Sequence, residues 1–513
     1  MRGVNTTDDI RRVLPEALIS GANACSMNAV QSDSRRIQQG DIFVAIPGTL
    51  VDGHRFIDSA IAAGAAAVVC SHKPADASEF VSWIVVDDVP RANALLCAAA
   101  YGNPAEHIDV TGITGTNGKT TITWILEYLA SELGYTSGVI GTTGYRWPGA
   151  DREATHTTPD ACVLQGLLAE MHAAGVTHAF CEFSSHALQQ RRVDATRVTA
   201  AVFTNLSQDH LDYHADMEDY FQAKSRLFTD ILGKGGCAII NIDSPWGQRL
   251  AHEIPEGRRV ITLSTEGAKA SLSVVNKRIG LNGSDITIRM SDGSERDMHV
   301  GLVGAYNLSN ALQALAVGMS YGWDIEAMIA ALSHDMAVPG RMEQVVGNAG
   351  ISVFVDYAHT EDGLLNVLST LRPLVDQRLI CIMGCGGDRD ADKRPKMGMA
   401  AAHYSDVTVI TSDNPRTEDP EAIISMIIPG AQSAGRKVLD SFEAARNTDG
   451  YVVEVDRRIA IESTLQTVAR PGDVVVIAGK GHEDYQIIGH TKHDFDDRKI
   501  AGAVLASMES DND

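Results

Sequence analysis

The sequence is short of basic residues and has no long apolar run. It carries 43 Lys and Arg against 66 Asp and Glu, a formal net charge of −23. A nucleic-acid-binding protein needs a basic face, so this balance argues against a nucleic-acid partner. No apolar run is long enough to cross a bilayer, and residues 1–10 lack the apolar core of a secretion signal. We therefore expect neither nucleic acid nor membrane as a partner.

Cysteine is sparse, and no two cysteines form a C-x-x-C pair. Seven of the eight lie in apolar or small-residue surroundings and are predicted to be buried free thiols: Cys25, Cys70, Cys97, Cys162, Cys181, Cys237 and Cys381. The eighth, Cys385, differs because it lies in a glycine-rich loop. Free thiols are typical of a reducing compartment. We expect a cytoplasmic protein that acts as a monomer on small molecules.

The most informative stretch that is present is GITGTNGKTT, residues 112–121, between a short apolar segment and a helical run. Its glycines let the backbone N–H groups point at phosphate oxygens, while Lys119 adds a charge for the β/γ-phosphates and Thr120 a hydroxyl for Mg²⁺. The N-terminus of the following helix faces the same anion. The stretch predicts a P-loop that binds ATP and Mg²⁺. Its ATP-binding residues are Gly115, Thr116, Asn117, Gly118, Lys119, Thr120 and Thr121.

The remainder of the chain reads as α/β throughout. At about 150 residues per domain, 513 residues predict about three domains. Apolar strands alternate with helices, and turn-forming residues at 101–104 and 338–340 indicate linkers. We predict a small N-terminal α/β domain (1–104), a central P-loop domain with a mostly parallel sheet (105–337) and a Rossmann-like C-terminal domain (338–513). The ligands of the last domain should lie at the carboxyl ends of its strands.

Glu182 ends a predicted buried strand of the central domain. Its carboxylate could bind Mg²⁺ beside Thr120, because hard oxygen ligands suit that ion. The two serines that follow it could equally cap a helix. This motif alone leaves both interpretations open.

His210 and His214 are four residues apart in a segment rich in His and Asp, which raises the possibility of zinc. The segment has no third ligand at helical spacing and no H-E-x-x-H pattern, so His210 as a magnesium ligand is the better hypothesis. Lys224 follows on an amphipathic helix. Such a lysine is usually a solvated charge, and the residues alone do not distinguish that from a functional role.

Polar turns follow consecutive predicted strands of the C-terminal domain. Arg341 and the turn at 356–360 are candidates for contact with nucleotide. The turns at 384–390, 412–416 and 479–483 carry further charges. An arginine such as Arg416 can hold a carboxylate in two parallel hydrogen bonds, and an aspartate can accept from an ammonium group. This combination predicts a site for an amino acid that carries both charges.

Together these segments resemble the Mur ligase family, ATP-dependent enzymes that build the stem peptide of peptidoglycan. The resemblance extends along nearly the whole chain, from residues 33–35 through the P-loop to 479–483. Within the family, residues 413–416 (DNPR) are similar to the motif of members that add meso-diaminopimelate to UDP-N-acetylmuramoyl-L-alanyl-D-glutamate. Arg416 carries most of that distinction, because lysine-adding members lack it.

The resemblance also implies roles for individual residues. Those implied to bind the UDP-linked substrate are Ser32, Ser34, Thr49, Leu50, Val51, His156, Thr157, Thr158, Ser184, Gln190 and Arg192. Those implied to bind diaminopimelate are Arg389, Asp413, Asn414, Pro415, Arg416, Gly479 and Glu483. Further ATP-binding residues are Asn307, Arg341, Asp356 and His359. Lys224 would be carbamylated and would hold Mg²⁺ together with Thr120, Glu182 and His210; the catalytic residues would be Lys119, Lys224 and His210.

The implied reaction is amide formation through an acyl phosphate. The γ-carboxylate of D-glutamate attacks the γ-phosphate of ATP, and the amine of diaminopimelate then displaces phosphate. Two other ligases remain as alternatives, a lysine-adding Mur ligase and a folylpolyglutamate synthetase-like enzyme. A P-loop ATPase that forms no bond is a third alternative, from a different class.

Overall fold

The structure is a computed structural model that describes residues 4–23, 26–48, 51–211, 213–334, 336–347 and 349–510. Its internal contacts divide the chain into two compact units. The first unit contains residues 1–276, 287–298 and 309–331, and the second contains 277–286, 299–308 and 332–513. Within the described ranges, no helix is long and apolar enough to span a membrane.

The N-terminal part of the first unit is a small α/β layer. Its elements are α1 Thr7–Val13, β1 Leu18–Gly21, β2 Val30–Gln31, β3 Ile42–Val44, α2 Ile57–Ala62, β4 Ala67–Cys70, β5 Ser82–Val85 and α3 Val89–Ala100. The strands lie in the order β1-β5-β4-β3-β2. Strand β1 is antiparallel to its neighbour and the other pairs are parallel. Strands β3 and β4 are buried along their whole length, as continuous apolar runs in a parallel sheet should be.

The central part of the chain forms a larger sheet with its own helices. Its first elements are β6 Asp109–Thr114, α4 Lys119–Glu132, β7 Ser137–Gly141, β8 Gly144–Trp147, β9 Ala150–Arg152, α5 Ala161–Ala173, β10 His178–Glu182, α6 Ser185–Gln189, β11 Val198–Phe203 and α7 Met217–Arg226. They are followed by β12 Leu232–Asn241, α8 Pro245–Glu253, β13 Arg259–Ser264, β14 Leu272–Gly280, β15 Gly283–Met290, β16 Glu295–Val300, α9 Ala305–Tyr321 and α10 Ile325–Leu332.

The order of the central strands decides what surrounds the P-loop. From β13 the sheet runs β13-β12-β11-β6-β10-β7-β8-β9. Strand β6 lies between β10 and β11 and is parallel to both. The carboxyl ends of parallel strands meet at one edge of a sheet. The segments that follow β10 and β11 therefore flank the loop that follows β6.

The second unit is built around a further mostly parallel sheet. Its elements are β17 Glu343–Val345, β18 Ser352–Asp356, α11 Glu361–Leu371, β19 Leu379–Met383, α12 Lys393–Tyr404, β20 Val407–Ile410, α13 Pro420–Ser433, α14 Phe442–Ala445, β21 Gly450–Val453, α15 Arg457–Ser463, β22 Val474–Ala478, β23 Tyr485–Ile488, β24 Thr491–Asp494 and α16 Asp497–Ser510. The strand order of this sheet is β17-β18-β22-β19-β20-β21, in which β17 and β18 are antiparallel and the other pairs are parallel. Strands β23 and β24 pair antiparallel in a separate two-stranded sheet.

Both faces of this sheet are covered by helices. Successive side chains of a strand point to opposite faces. In β19, Cys381 belongs to the core shared with α11, α12 and α13, whereas Ile380 and Ile382 belong to the core shared with α15 and α16. Burial on both faces explains why β18, β19, β20 and β22 read as unbroken apolar runs in the sequence.

The predicted set of free thiols is wrong at two positions. Cys97 of α3 and Cys162 of α5 form a disulfide, with their Cα atoms 4.9 Å apart. Helices α3 and α5 pack against each other, and this brings together two cysteines 65 residues apart. No sequence spacing signals such a pair. Cys70, Cys181, Cys237 and Cys381 are buried free thiols as predicted, whereas Cys25 lies outside the described residues.

Candidate active site

The P-loop has the predicted strand–loop–helix form. Strand β6 ends at Thr114 and α4 begins at Lys119. Gly115 and Gly118 have φ angles of +141° and +89°, which favour glycine. A Cβ atom at Gly115 would lie 1.8 Å from Thr204 Oγ1, and one at Gly118 would lie 2.4 Å from Asn310 Oδ1. Close packing around the loop therefore requires glycine at both positions.

Lys119 and Thr120 begin the helix and turn inward to different partners. The Lys119 ammonium donates to the carbonyl oxygens of Gly115 and Thr116, each at 2.9 Å. Thr120 Oγ1 donates to Glu182 Oε2 at 3.1 Å. The lysine thus folds over the loop, and the hydroxyl faces the end of β10. This is the arrangement that the sequence predicts for a phosphate-binding loop.

The segment after β11 holds the P-loop from the other side. The N–H groups of Thr116 and Asn117 donate to the carbonyl and side-chain oxygens of Asn205, both at 3.0 Å. Thr204 Oγ1 donates to the Asn117 carbonyl at 2.6 Å. These contacts fix the curl of the loop between two neighbouring strand ends.

Lys224 is buried against the P-loop. Its side chain is on α7 and the residue is 1% exposed, which contradicts the interpretation of Lys224 as a solvated charge. Its Nζ donates to the Gly115 carbonyl at 2.9 Å and lies 4.4 Å from the centroid of the Tyr220 ring. Burial, and then the nearby Lys119 charge, hold the pKa of Lys224 well below its usual value. A neutral amine at this position is a nucleophile.

Glu182 and Thr120 offer oxygen donors suited to a hard cation. Glu182 is fully buried, and its carboxylate also accepts from the N–H and the hydroxyl of Thr142. A carboxylate beside a hydroxyl at a P-loop fits the ligand chemistry of Mg²⁺. Within the described ranges, no three His, Cys, Asp or Glu side chains come together as a metal-binding group. The predicted magnesium ligands include two side chains of these types, Glu182 and His210, together with the Thr120 hydroxyl and a carbamate on Lys224.

The two histidines of the next segment have different surroundings. His210 is nearly half exposed, with Nε2 3.5 Å from the Asp209 carboxylate. His214 is buried, and its two ring nitrogens contact Ser185 Oγ at 2.9 Å and Asp219 Oδ2 at 3.2 Å. Both nitrogens of His214 are engaged by protein groups, which speaks against the zinc hypothesis. His214 instead joins the turn after β10 to α7, the helix of Lys224.

Five of the residues implied to bind the UDP-linked substrate gather where β10 ends. Thr158 Oγ1 donates to the Glu182 carbonyl and accepts from the N–H of Ser184, at 2.7 and 2.9 Å. Arg192 donates to the Thr158 carbonyl and to Gln190 Oε1. Thr157 reaches Thr142 at 3.0 Å between hydroxyls. The Arg192 guanidinium is thus held by neutral groups near the end of β10, the strand that ends at Glu182, where it can attract an anion.

The other residues of that set are less constrained. Ser34 lies in a short 3-10 turn that Asp33 caps, while Ser32 and His156 are exposed. Val51 is 48% exposed. Thr49 and Leu50 lie outside the described residues. The roles of this set remain predictions.

The second unit holds four predicted ATP-binding residues. Asp356 ends β18 and accepts from the N–H groups of Met342 and Ala358, at 2.7 and 2.8 Å. Burial raises the pKa of Asp356, and the Arg341 charge opposes that rise. His359 Nδ1 contacts the Tyr357 carbonyl, and Asn307 is buried with its amide donating to the Val303 carbonyl. Their ATP-binding roles stay predictions.

Three loops of the second unit meet at the carboxyl ends of β19, β20 and β22. We call their predicted ligand-binding residues the strand-end cluster: Arg389, Asp413, Asn414, Pro415, Arg416, Gly479 and Glu483. Asn414 Nδ2 donates to Glu483 Oε2 at 2.8 Å. Asp413 Oδ1 is buried and accepts no hydrogen bond from the described residues. This carboxylate oxygen can accept a hydrogen bond from an ammonium group.

The arginines of the strand-end cluster lie beside the glycines of the β19 loop. Arg416 has a φ of +52° and donates to the Gly387 carbonyl at 2.8 Å. A Cβ at Gly386 would lie 2.9 Å from Arg416 Nη1 and 3.8 Å from Arg389 Cγ. The two side chains therefore approach the same point. The structure thus brings Arg389 and Arg416 from two different loops to one glycine of the β19 loop.

Three family models match the chain in succession. They are described as the Mur ligase family catalytic domain (residues 26–102), the Mur ligase middle domain (113–318) and the Mur ligase glutamate ligase domain (340–481). A UDP-N-acetylmuramoyl-L-alanyl-D-glutamate–2,6-diaminopimelate ligase of Geobacter metallireducens is 41% identical over 515 residues, covering 98% of this chain and 99% of that protein. The chain belongs to the Mur ligase family.

Solved structures agree with this assignment. The structure of a UDP-N-acetylmuramoyl-L-alanyl-D-glutamate–2,6-diaminopimelate ligase is 31% identical and covers 99% of both chains, with a TM-score of 0.72. The MurF ligase of Thermotoga maritima in complex with ADP shares the fold at 17% identity and a TM-score of 0.57, covering 94% of this chain and 97% of that one. The predicted three-domain α/β architecture is confirmed as that of the Mur ligases.

Sequence reasoning missed several residues of this Mur ligase that support the sites. Arg394 is buried and forms a two-pronged pair with Glu418, at 2.9 and 2.8 Å, next to the loop of Arg416. Lys480 is buried among residues of the strand-end cluster. The sequence held one signal for Lys480, its position inside the GKGHE turn. Cys385, singled out from the sequence, is buried beside Met397, and burial raises its pKa to about 12.

Proposed function

We propose that this Mur ligase joins meso-2,6-diaminopimelate to UDP-N-acetylmuramoyl-L-alanyl-D-glutamate at the expense of ATP, giving ADP and phosphate during the synthesis of peptidoglycan precursors. Relatives at 41% identity and more over nearly the full chain carry that activity in their names. The observation that carries the proposal is the strand-end cluster. Asn414 joins the loop of Asp413 to Glu483, and Arg416 extends from that same loop to Gly387, so carboxylates and a guanidinium suited to the ammonium and carboxylate of an amino acid lie on adjoining loops.

Activation of the acceptor takes place at the P-loop. A carboxylate is a poor electrophile, so the γ-carboxylate of D-glutamate attacks the γ-phosphorus of ATP, the bond to the bridging oxygen breaks and ADP leaves. The Lys119 ammonium neutralises charge on the transferred group, and the N–H groups at the start of α4 orient the phosphates. Arg192, Thr158 and Ser184 hold the acceptor beside Glu182.

A magnesium ion would be held by Thr120, Glu182, His210 and a carbamate on Lys224, and it would neutralise phosphate charge during transfer. The neutral, buried amine of Lys224 suits carbamate formation. Its nitrogen attacks carbon dioxide, a proton leaves, and an anionic oxygen donor replaces the amine. Glu182 keeps its carboxylate oriented through Thr120 and Thr142.

Amide formation completes the reaction. The strand-end cluster binds the carboxylate and ammonium at the far end of diaminopimelate, leaving the other amine free. That amine loses its proton, attacks the acyl carbon, and phosphate departs with the electrons of the broken bond. The acyl phosphate hydrolyses in water, so the enzyme must exclude water while the intermediate exists.

We further propose that the protein acts in the cytoplasm as a monomer, with domains at 1–104, 105–337 and 338–513. UDP-linked substrate would be bound in the first domain, ATP in the second and the amino acid in the third. Small molecules would be its only substrates.

Release of ADP tests the proposal directly. Enzyme and ATP are incubated with the UDP-linked dipeptide and either meso-diaminopimelate or L-lysine, with a folate acceptor and L-glutamate, or with neither acceptor nor amine. We expect rapid release only with diaminopimelate. Release with lysine would favour the lysine-adding ligase, and release with glutamate and a folate acceptor would favour the folylpolyglutamate synthetase alternative. Release without any acceptor or amine would contradict ligation.

A further inference from the structure

Lys480 is fully buried at the turn after β22, between residues of the strand-end cluster. Its Nζ lies 3.3 Å from Asn414 Oδ1, 3.3 Å from Glu483 Oε2 and 3.9 Å from Asp413 Oδ1. An ammonium group has three N–H donors and no acceptor. Three oxygen atoms from two loops therefore surround three donors. The buried ammonium group of Lys480 therefore contacts the residues proposed to bind the amino acid.

The two carboxylates beside Lys480 need a cation. Burial and a neighbouring negative charge both favour the protonated form of a carboxyl group. Burial raises the pKa of Asp413, Glu483 and Asp497 add to the rise, and Arg457 and Lys480 oppose it. Arg457 already forms a fully buried pair with Asp497 at 2.7 Å. Lys480 lies 3.9 Å from Asp413 Oδ1 and 3.3 Å from Glu483 Oε2, close enough to compensate both carboxylates.

We propose that Lys480 is a positioning residue of the strand-end cluster, where its ammonium offsets the negative charge of Asp413 and Glu483 and orients Asn414 and Glu483 toward the incoming amino acid. The inference rests on the proposed function, because it assigns the cluster to diaminopimelate. A protonated Asp413 or Glu483 would present a donor to the ammonium of the substrate. Lys480 therefore acts through its neighbours rather than on the reacting atoms.

The groups around the two carboxylates explain why other charges cannot replace Lys480. Tyr357 and Tyr485 border the cluster, and burial raises the pKa of Tyr357 to about 12, so that phenol stays neutral. Asn414 bonds Glu483 but carries no charge. Arg457 is held by Asp497 and by the carbonyl oxygen of Ala478 at 3.0 Å. Removing Lys480 leaves two acidic groups facing one shared cation.

Two variants separate charge from packing. Lys480→Gln keeps donors within reach of Asn414 and Glu483 but removes the charge, whereas Lys480→Met removes both. The control is Arg378→Met, which breaks the partly buried pair with Asp473 just before β22 begins, at the opposite end of that strand. Thermal unfolding of each variant shows how much stability is lost. The control reports what lost stability alone does to catalysis.

The measurement is the KM for meso-diaminopimelate and the pH dependence of kcat/KM for that amine. We expect Lys480→Met to raise KM by about 30-fold or more. Both Lys480 variants should move the acid limb of the profile upward by about 1 to 3 pH units, because loss of a nearby cation raises a carboxyl pKa. The KM for ATP should not change, and Arg378→Met should leave the acid limb in place.

The outcomes distinguish the two proposals. Suppose that the wild-type enzyme uses diaminopimelate and that Lys480→Gln and Lys480→Met both keep its KM and its acid limb. That result would overturn the role of Lys480 and leave the proposed function standing. An acid limb that moves equally in Arg378→Met would also overturn it, since stability would then be the cause. A wild-type enzyme indifferent to diaminopimelate would overturn the proposed function, and the role of Lys480 with it. If Lys480→Met fails to fold, Lys480→Gln carries the same test.

Discussion

In the P-loop region, one continuous stretch supplies the glycines, the lysine and the hydroxyl, whereas the charged groups of the strand-end cluster come from loops after three different strands. A helix N-terminus and a curled loop bind phosphate through backbone N–H groups, so their chemistry is local. Recognition of an amino acid needs opposite charges at fixed separation. Only the sheet can place those charges, since they come from three different strand ends.

The two regions also balance charge differently. At the P-loop, the ammonium group of Lys119 donates to backbone carbonyl oxygens, which leaves positive charge for a polyanion. In the strand-end cluster, Lys480 faces Asp413 and Glu483, and the carboxylates are compensated before a substrate arrives. The first arrangement suits a triphosphate. The second suits a zwitterion, because its ammonium and carboxylate charges add no net charge to the site.

The largest expected loss of activity follows from a change in the P-loop. Lys119→Ala should lower kcat by about 1000-fold, because the transferred phosphoryl group loses its ammonium partner. Steady-state ADP release measures it. Lys234→Ala, at an exposed lysine, is the control and should keep wild-type activity. A Lys119→Ala enzyme with near-normal kcat would remove the P-loop from the mechanism.

Lys224→Ala should come next, with turnover falling by about 100-fold or more, because an anionic oxygen donor is lost. Short carboxylic acids should restore part of the activity by filling the space. Lys224→Arg is the matched control, since it fills the space with a long side chain but forms no stable carbamate, and it should stay inactive with those acids. Unchanged turnover in Lys224→Ala would mean that its burial serves packing alone.

Reduction of the Cys97–Cys162 disulfide should destabilise the first unit and leave the stability of the second unit unchanged. Breaking this link should lower the free energy of unfolding of the first unit by about 3 kcal/mol. All five tryptophans lie in the first unit, so their fluorescence follows it during denaturant unfolding. Cys97→Ser should reproduce the effect without reductant. Equal curves for oxidised and reduced protein would show that the link contributes nothing.

The smallest effect should be at the arginine of the strand-end cluster. Arg416→Ala should raise the KM for diaminopimelate by about 30-fold, because the distal carboxylate loses two parallel hydrogen bonds. The KM for ATP should stay the same. The discrimination between diaminopimelate and lysine should shrink as well. A wild-type KM for diaminopimelate in this variant would assign specificity elsewhere.

Much of the fold and part of the site could be predicted from the sequence. Continuous apolar runs identified β10, β11, β12 and the buried strands of the second unit, and GITGTNGKTT identified the P-loop. The order of the strands could not be read, so the closeness of Glu182 to Thr120 was only a hypothesis until the structure placed their side chains 3.1 Å apart.

Burial of isolated charged residues was the harder problem. The amphipathic pattern around Lys224 does not tell which neighbour covers it, and the covering group proves to be the P-loop itself. Lys480 was not predicted as a site residue for the same reason: its glycine-rich turn does not tell which side chains surround it. The Cys97–Cys162 pair depends on the packing of α3 on α5, which no local pattern encodes. Tertiary contacts, not local sequence, decided all three.

Transfer of oxygen tests the central claim most directly. The γ-carboxylate of D-glutamate in the UDP-linked dipeptide is labelled with ¹⁸O, and the reaction is run to completion with ATP and meso-diaminopimelate. If the carboxylate attacks the γ-phosphorus, one labelled oxygen leaves with each phosphate released. Inorganic phosphate without label, in a reaction that forms the amide, would contradict activation through an acyl phosphate.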